Sequence, residues 1–329
     1  MMRITKKIDK AAAAGLLKQS DNILILTHRN PDGDTLGSAF ALLHALKALG
    51  KTAVVDCSDH IHNKYSYMWQ NDSSVYCESA SKAFSPDFIV AVDVADNKLL
   101  GSPLLQKYGD KIPLCIDHHL SNTEYADNLY LKECSAVCEM IFDVINELGV
   151  EIDKVTADCL YTGISTDTGC FRYSNITPET HIKAAELISL GADYSEINRI
   201  MFETKTLSYF KLEELVLNSI EMYYGGKCAV ITITQNMFKE SGSNENECDG
   251  IASLPRKIDD VLIGVTFRER TDGSFKVSLR TYAPVDAAKI CAALGGGGHA
   301  RAAGCDFSSE YSDGKNQLLE IIKTELDKI

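Results

Sequence analysis

A carboxylate and two imidazoles stand together at Asp117-His118-His119, directly after the apolar run Ile112-Pro113-Leu114-Cys115-Ile116. Two further apolar runs end alike: Ile23 to Thr27 leads into His28, and Phe88 to Val92 leads into Asp93. Divalent ions are held by several His and Asp side chains converging on one point. Three runs that deliver such residues to one edge describe a metal centre, although any one alone reads as well as a polar cap on a strand end.

The same runs say what must position these residues. Short and apolar throughout, they have the pattern of strands buried in a parallel sheet, and ligands bind outside the carboxyl ends of such strands. His28-Arg29-Asn30-Pro31-Asp32-Gly33-Asp34 is then the turn into a helix that opens at Thr35 and reaches Leu49. Phe40, Leu42, Leu43, Leu46 and Leu49 give that helix a buried face, and Gly50 closes it. Asp-Gly-Asp is ordinary turn chemistry; the strand and His28 before it turn the reading of Asp32 and Asp34 towards ligands. A strand over 53–56 leads to a second metal-like set, Asp56, Asp59, His60 and His62, read as a substrate-side loop without metal. The aromatic stretch 63–69 after it suits packing or contact with a base. His44, inside an apolar helix, reads as structural.

A leading helix is expected over 3–20, and further helices over 136–148, from about 153, and over 178–190 with Gly191 at the end. Asp167 falls in Thr166-Asp167-Thr168-Gly169, where alone it would pass for a turn or capping residue. Residues 192–218 have no Gly or Pro cluster and read as a helical connector between lobes. Strands near 228–234, 261–267 and 274–280 follow, then a helix at 286–294, the run Gly295-Gly296-Gly297-Gly298-His299, and a closing helix at 314–328. Consecutive glycines let a backbone approach a phosphate and aim its N–H groups at it. A flexible turn is the other reading; the small residues of His299-Ala300-Arg301-Ala302-Ala303-Gly304 favour phosphate.

At 329 residues the chain exceeds the usual single domain, so two are expected. No apolar stretch approaches a membrane span, and Met1-Met2-Arg3-Ile4-Thr5-Lys6-Lys7 lacks a signal core, which leads to the expectation of a cytoplasmic protein away from membranes. The eleven scattered cysteines read as reduced thiols. A net charge of −13 opposes a grip on duplex nucleic acid. It leaves room for small phosphorylated substrates, because bound metal ions reverse the local charge. Residues 219–329 carry 13 Lys and Arg against 16 Asp and Glu, and residues 1–218 carry 20 against 30. The C-terminal part is therefore the place to seek phosphate contacts.

Taken together, these residues resemble the DHH phosphoesterase family with a C-terminal DHHA1 domain, over nearly the whole chain. His28-x-x-Pro31-Asp32-Gly33-Asp34 is similar to its first motif, Asp93 to its second, Asp117-His118-His119 to its third and Thr166-Asp167-Thr168-Gly169 to its fourth. Gly295 to His299 with Ala302-Ala303-Gly304 resembles the DHHA1 phosphate signature. The resemblance implies an α/β fold. A parallel-sheet DHH domain would occupy 1–191, the helical connector 192–218 and a smaller α/β DHHA1 domain 219–329, with a cleft between the domains. It implies two divalent ions, Mn2+ or else Mg2+. One would be held by His28, Asp32 and Asp93, the other by Asp34, Asp93, His118 and Asp167, with Asp93 bridging. Such a pair stabilises the attacking and leaving oxygens of an in-line displacement at phosphorus. His119 would sit outside the metal shell and face the phosphate. Arg280 and Thr281, where relatives usually carry Arg-Ser, would bind a terminal phosphate with Gly296, Gly297, Gly298 and His299.

The stand-alone layout is similar to the NrnA group, which implies hydrolysis of very short single-stranded RNA and removal of the 3′-phosphate of 3′-phosphoadenosine-5′-phosphate (pAp). A linear or cyclic dinucleotide phosphodiesterase (pApA or c-di-AMP type) is the nearest alternative, and a homodimer is left open. An inorganic polyphosphatase fits less well, because the glycine run resembles DHHA1 and not DHHA2. A silent nucleotide-binding module fits worst, since every expected metal position is Asp or His.

Overall fold

The computed structural model describes residues 4–70, 76–78, 84–248, 250–308 and 311–329. Arg3, where the leading helix was expected to begin, lies outside these residues. The chain divides into two compact units, Met1–Thr204 and Lys205–Ile329.

The first unit runs β1 (Lys6–Lys7), α1 (Lys10–Gln19), β2 (Ile23–Leu26), α2 (Gly33–Ala48), β3 (Ala53–Cys57), β4 (Tyr76–Glu78) and β5 (Phe88–Val92). It continues through α3 (Ser102–Tyr108), β6 (Leu114–Asp117), β7 (Asn128–Leu131), α4 (Val137–Leu148), α5 (Lys154–Asp167), α6 (Pro178–Ser189) and α7 (Tyr194–Asn198). The strands form one parallel sheet in the order β1-β7-β6-β5-β2-β3-β4. β2 and β5 are buried along their whole length, which is why they read as continuous apolar runs. One face of the sheet packs Ile23, Ile25, Val90 and Val92 with α2, α4 and α5. The other packs Leu24, Leu26, Ile89 and Ala91 with Leu100 and Leu104.

Strand order reverses between β2 and β5. The crevice at such a reversal lies outside the carboxyl ends of the two strands, and His28 and Asp93 follow those two ends. The N-terminal segment differs from a helix over 3–20. Lys6–Lys7 pairs with β7, and Asp9 starts α1 by accepting the N–H of Ala12 at 2.8 Å.

The second unit runs α8 (Leu207–Leu217), β8 (Glu221–Tyr223), β9 (Cys228–Ile233), α9 (Gln235–Ser241), β10 (Ile263–Glu269), β11 (Phe275–Thr281), α10 (Ala287–Ala292), β12 (Gly297–His299), β13 (Ala302–Phe307) and α11 (Tyr311–Leu326). Its mixed sheet has the order β12-β13-β11-β10-β9-β8, with only β9 and β10 parallel. The expected connector is shared between the units: α7 and the π-helical turn Arg199–Glu203 end the first, and α8 opens the second.

In the first unit, α2 and α5 approach closely because Gly163 has no side chain. A Cβ there would lie 2.2 Å from Cys138 Sγ and 2.7 Å from Asp34 Oδ1. Overpacking of this kind costs about 1–3 kcal/mol. Gly163→Ala should therefore lower the thermal midpoint and weaken divalent-ion binding by calorimetry, since Asp34 must move. An unchanged midpoint would show that the helices can part without cost.

Candidate metal centre and phosphate site

Asp32 caps α2: its Oδ1 accepts the N–H groups of Asp34 at 3.0 Å and Thr35 at 3.1 Å. The helix thus begins at Gly33, two residues before the expected Thr35, and Asp34 enters its first turn. A Cβ at Gly33 would sit 2.3 Å from Thr166 Oγ1, so glycine lets this turn lie against the end of α5 that carries Asp167. Asp34 accepts the N–H groups of Val137 at 2.6 Å and Cys138 at 2.9 Å, in the first turn of α4. Asp93 holds φ at +58°, a left-handed conformation that costs a non-glycine residue about 1–3 kcal/mol. Its N–H donates to the Ile116 carbonyl at 3.0 Å, which pins it beside β6.

His28 and His118 are oriented in the same way. His28 Nδ1 lies 2.8 Å from the Arg29 carbonyl and His118 Nδ1 3.0 Å from that of Cys134. Carbonyl partners make Nδ1 the protonated nitrogen when the rings are neutral and turn Nε2 into the cluster, the arrangement of metal-binding histidines. His28 Nε2 is 3.5 Å from Asp93 Oδ2 and 3.7 Å from Asp32. His118 Nε2 is 3.7 Å from both Asp93 Oδ1 and Asp167. The two oxygens of Asp93 thus face different imidazoles.

His119 is held otherwise. Its Nδ1 meets Asp117 Oδ1 at 2.8 Å, and Asp117 also accepts from the His118 N–H at 2.9 Å and Asn122 Nδ2 at 2.6 Å. Its side chain is 35% exposed against 13% for His118, so it is the imidazole open to an incoming molecule. Neither Asn122 nor the carbonyl of Cys134 was anticipated. Asn122 lies five residues beyond Asp117, and a backbone carbonyl leaves no mark in a sequence.

Three sets bring ligand-type atoms within 4.8 Å of one another: His28, Asp32 and Asp93; Asp34, His118 and Asp167; Asp93, His118 and His119. Without cations the cluster is electrostatically stressed. Burial raises the Asp34 carboxyl; burial and then the Asp34 charge raise Asp93 to about 7; burial and then Asp34 and Asp93 raise Asp167 to about 9. Burial opposes a charge on His28, yet contacts with Asp32 and Asp93 carry it up to about 11. Among the described residues Asp93 Oδ1 is buried without a hydrogen-bond partner, which is unfavourable unless something else binds it. Converging carboxylates, inward Nε2 atoms and an orphaned oxygen all fit divalent cations.

The second metal-like set takes no part. Asp59 accepts the Asn30 N–H at 2.8 Å and His62 that of Lys64 at 3.1 Å. Among the described residues no metal-capable set includes Asp56, Asp59, His60 or His62. Tyr65 and Met68 are buried and Trp69 packs against Phe40. His44 Nε2 lies 2.7 Å from the Met68 carbonyl.

In the second unit, register places Arg280 opposite Ala302 and Ala302 opposite His299, so both expected phosphate contacts share one row. Thr281 turns the other way. It is fully buried, and its hydroxyl donates to the carbonyls of Val285 at 3.0 Å and Ala300 at 3.1 Å. Gly295 and Gly296 give their N–H groups to Ala292 and Cys291, closing α10, and a Cβ on Gly296 would lie 2.2 Å from the Gly304 carbonyl. These two glycines serve helix capping and close packing, with no N–H left for an anion. Gly297 and Gly298 form β12 against β13.

Residues 22–164 match the DHH family, N-terminal domain, and residues 225–328 the DHHA1 domain. The chain is 33% identical to the bifunctional oligoribonuclease and PAP phosphatase NrnA of Thermus thermophilus, over 93% of this chain and 90% of that one. It is 28% identical to the protein of the same name from Mycoplasma genitalium, over 98% and 99%. The crystal structure of an exopolyphosphatase-related protein from Bacteroides fragilis superposes with a TM-score of 0.85 at 25% identity, covering 97% of this chain and 96% of that one.

The electrostatic stress can be tested without turnover. Asp93→Asn removes one buried charge, so the metal-free variant should unfold at a temperature higher by roughly 2–8 °C, equivalent to about 1–2 kcal/mol in a unit of this size. Wild type should gain more from added Mn2+ than the variant does. A lower metal-free midpoint for the variant would show that the acids do not repel one another.

Proposed function

The chain belongs to the DHH family and carries a DHHA1 domain, and we propose that it is a two-metal phosphoesterase that hydrolyses very short RNA to mononucleotides and removes the 3′-phosphate of pAp. The observation that carries this is Asp93, whose oxygens face His28 on one side and His118 on the other within a ring of further carboxylates. His28, Asp32 and Asp93 would hold one ion, and Asp34, Asp93, His118 and Asp167 the other. Imidazole among carboxylates suits Mn2+ better than Mg2+. When bound, such a pair polarises the phosphoryl group and supplies an activated water.

The remaining steps belong to the chain's own groups. Burial works against a charge on His119, but Asp117 and the charge of Asp93 raise it to about 9 while the cluster is free of metal; with ions on Asp93, the contact with Asp117 is what continues to favour the imidazolium. Asp117, steadied by Asn122, aims that imidazolium, which donates its proton to the departing oxygen. In the second unit, Arg280 makes charge-assisted contacts to a phosphate beside His299. Thr281 acts indirectly by tying the Ala300–Arg301 turn to the end of β11. The first unit thus performs the chemistry and the second holds the nucleotide, in a cytoplasmic enzyme. Among the described residues no helix is long and apolar enough to cross a membrane.

The decisive assay follows 2- to 10-nucleotide RNAs labelled at either end, together with pAp, in the presence of Mn2+. Mononucleotides and inorganic phosphate are expected; turnover confined to pApA or c-di-AMP would replace this reading with a dinucleotide phosphodiesterase.

Exchange of either histidine should separate the two imidazoles. His119→Ala should bind both ions yet lose about 10²–10⁴ in kcat, whereas His118→Ala should lose metal by elemental analysis as well. Equal metal loss in the two would remove the proton-donor assignment. Arg280→Ala and His299→Ala should lose far more kcat/KM on a dinucleotide than on a small non-nucleotide phosphodiester, with both ions retained. Equal losses on the two esters would mean that the second unit shapes the metal centre and does not bind nucleotide.

A further inference from the structure

Along β11 and β13 side chains alternate between the main core of the second unit and the opposite face of the sheet, a face covered over β9, where Ile231 and Ile233 pack with Tyr209, Leu212 and Phe238. Val277, Leu279, Ala303 and Cys305 pack inward, so Lys276, Ser278 and Arg280 of β11 and Ala302, Gly304 and Asp306 of β13 lie on the other side. Register arranges these in three rows: Arg280, Ala302 and His299; Ser278, Gly304 and Gly297; Lys276 and Asp306. The middle row is nearly bare, and a Cβ on Gly297 would meet nothing within 4 Å. The result is a low floor with basic groups at both ends. Arg280 and His299 form the end already assigned to a phosphate.

Beside the other end lies a cavity of about 400 Å³, lined by Arg270, Lys276 and Asp306 and, from the core side of β13, by Leu294 and Cys305. Asp306 holds the Arg270 guanidinium at 2.7 Å. Lys276 is exposed and, among the described residues, enters no ion pair. Arg268, paired with Glu245 at 3.5 Å, stands beside Lys276 on β10 and adds a further cation.

We infer that Arg270 and Lys276 form a second anion-binding site, so that this face holds two phosphate groups of one ligand at its two ends. Four strand residues separate the ends, about 13 Å at 3.2–3.4 Å per residue. The ligand is the phosphodiester chain of a single-stranded oligonucleotide. Its sugars and bases cross the bare floor, where a polyphosphate chain would need cations throughout. The two phosphates of pAp share one ribose and lie closer together than the ends of the floor, so pAp reaches one end only. This rests on the reading of the chain as an enzyme of short RNA, and makes it discriminate among its substrates by phosphate spacing.

The test uses the full chain in metal-free buffer, with anisotropy of a 5′-phosphorylated tetranucleotide labelled at its 3′ end. Lys276→Ala should weaken binding and reduce the salt slope by about 0.7, the loss of one phosphate contact to a single strand. Asp306→Asn removes the opposing carboxylate and should tighten binding, a change that local unfolding would not produce. The affinity of pAp, measured by competition, should change much less in both variants. Unchanged tetranucleotide affinity in Lys276→Ala, equal loss for pAp, or no binding by wild type would each overturn the site. Equal loss for linear polyphosphate would overturn its assignment to a nucleotide chain. Failure of wild type to hydrolyse RNA or pAp with Mn2+ would defeat the proposed function alone, since the binding experiment needs no turnover.

Discussion

Buried like charges at the edge of a parallel sheet set the terms for the first unit. Asp34 and Asp93 are almost inaccessible to water, and Asp32 and Asp167 stand within the same cluster. Two unit charges 4 Å apart interact by on the order of 4 kcal/mol at an effective dielectric constant of 20, against a total stability of about 5–15 kcal/mol for a typical domain. Such a cluster persists only because the surrounding structure fixes it. Strand reversal sets β2 beside β5, and Asp93 is locked in a left-handed turn. Asp34 is tied to two N–H groups of another helix.

The same constraint explains why neighbouring histidines are held differently. His118 and His119 are adjacent on the chain and their rings meet edge to face, with centroids 4.5 Å apart. One is held by a carbonyl and so directs a lone pair into the acids. The other is held by a carboxylate and so keeps a proton. The orientation of each ring is decided by the partner of its Nδ1.

Much of the first unit was legible because buried parallel strands are apolar from end to end; the expected run at Phe88–Val92 coincides with β5. Helix ends marked by Gly50 and Gly191, both at positive φ, were equally plain. Edge strands were not. β8 alternates only weakly, and β12 is written mostly in glycine, which has no strand signature of its own. The leading helix was overextended because Asp9 reads as one more polar residue until its side chain is seen to accept the N–H of Ala12. At the candidate site, residue types that bind metal announce themselves. Thr281 could not reveal that its hydroxyl points inward, since two backbone carbonyls decide the matter.

Asp34 has a second consequence, for how this architecture can change over time. Ala136 gives α4 no side-chain cap, so a carboxylate from another helix terminates it. The residue that would bind metal is thus also a structural fastener for a core helix. A descendant that drifted to a new chemistry could discard Asp167 without undoing a helix end, but losing Asp34 would leave α4 frayed. Repurposing should therefore proceed from the α5 side of the cluster inward, with Asp34 the last acid to go.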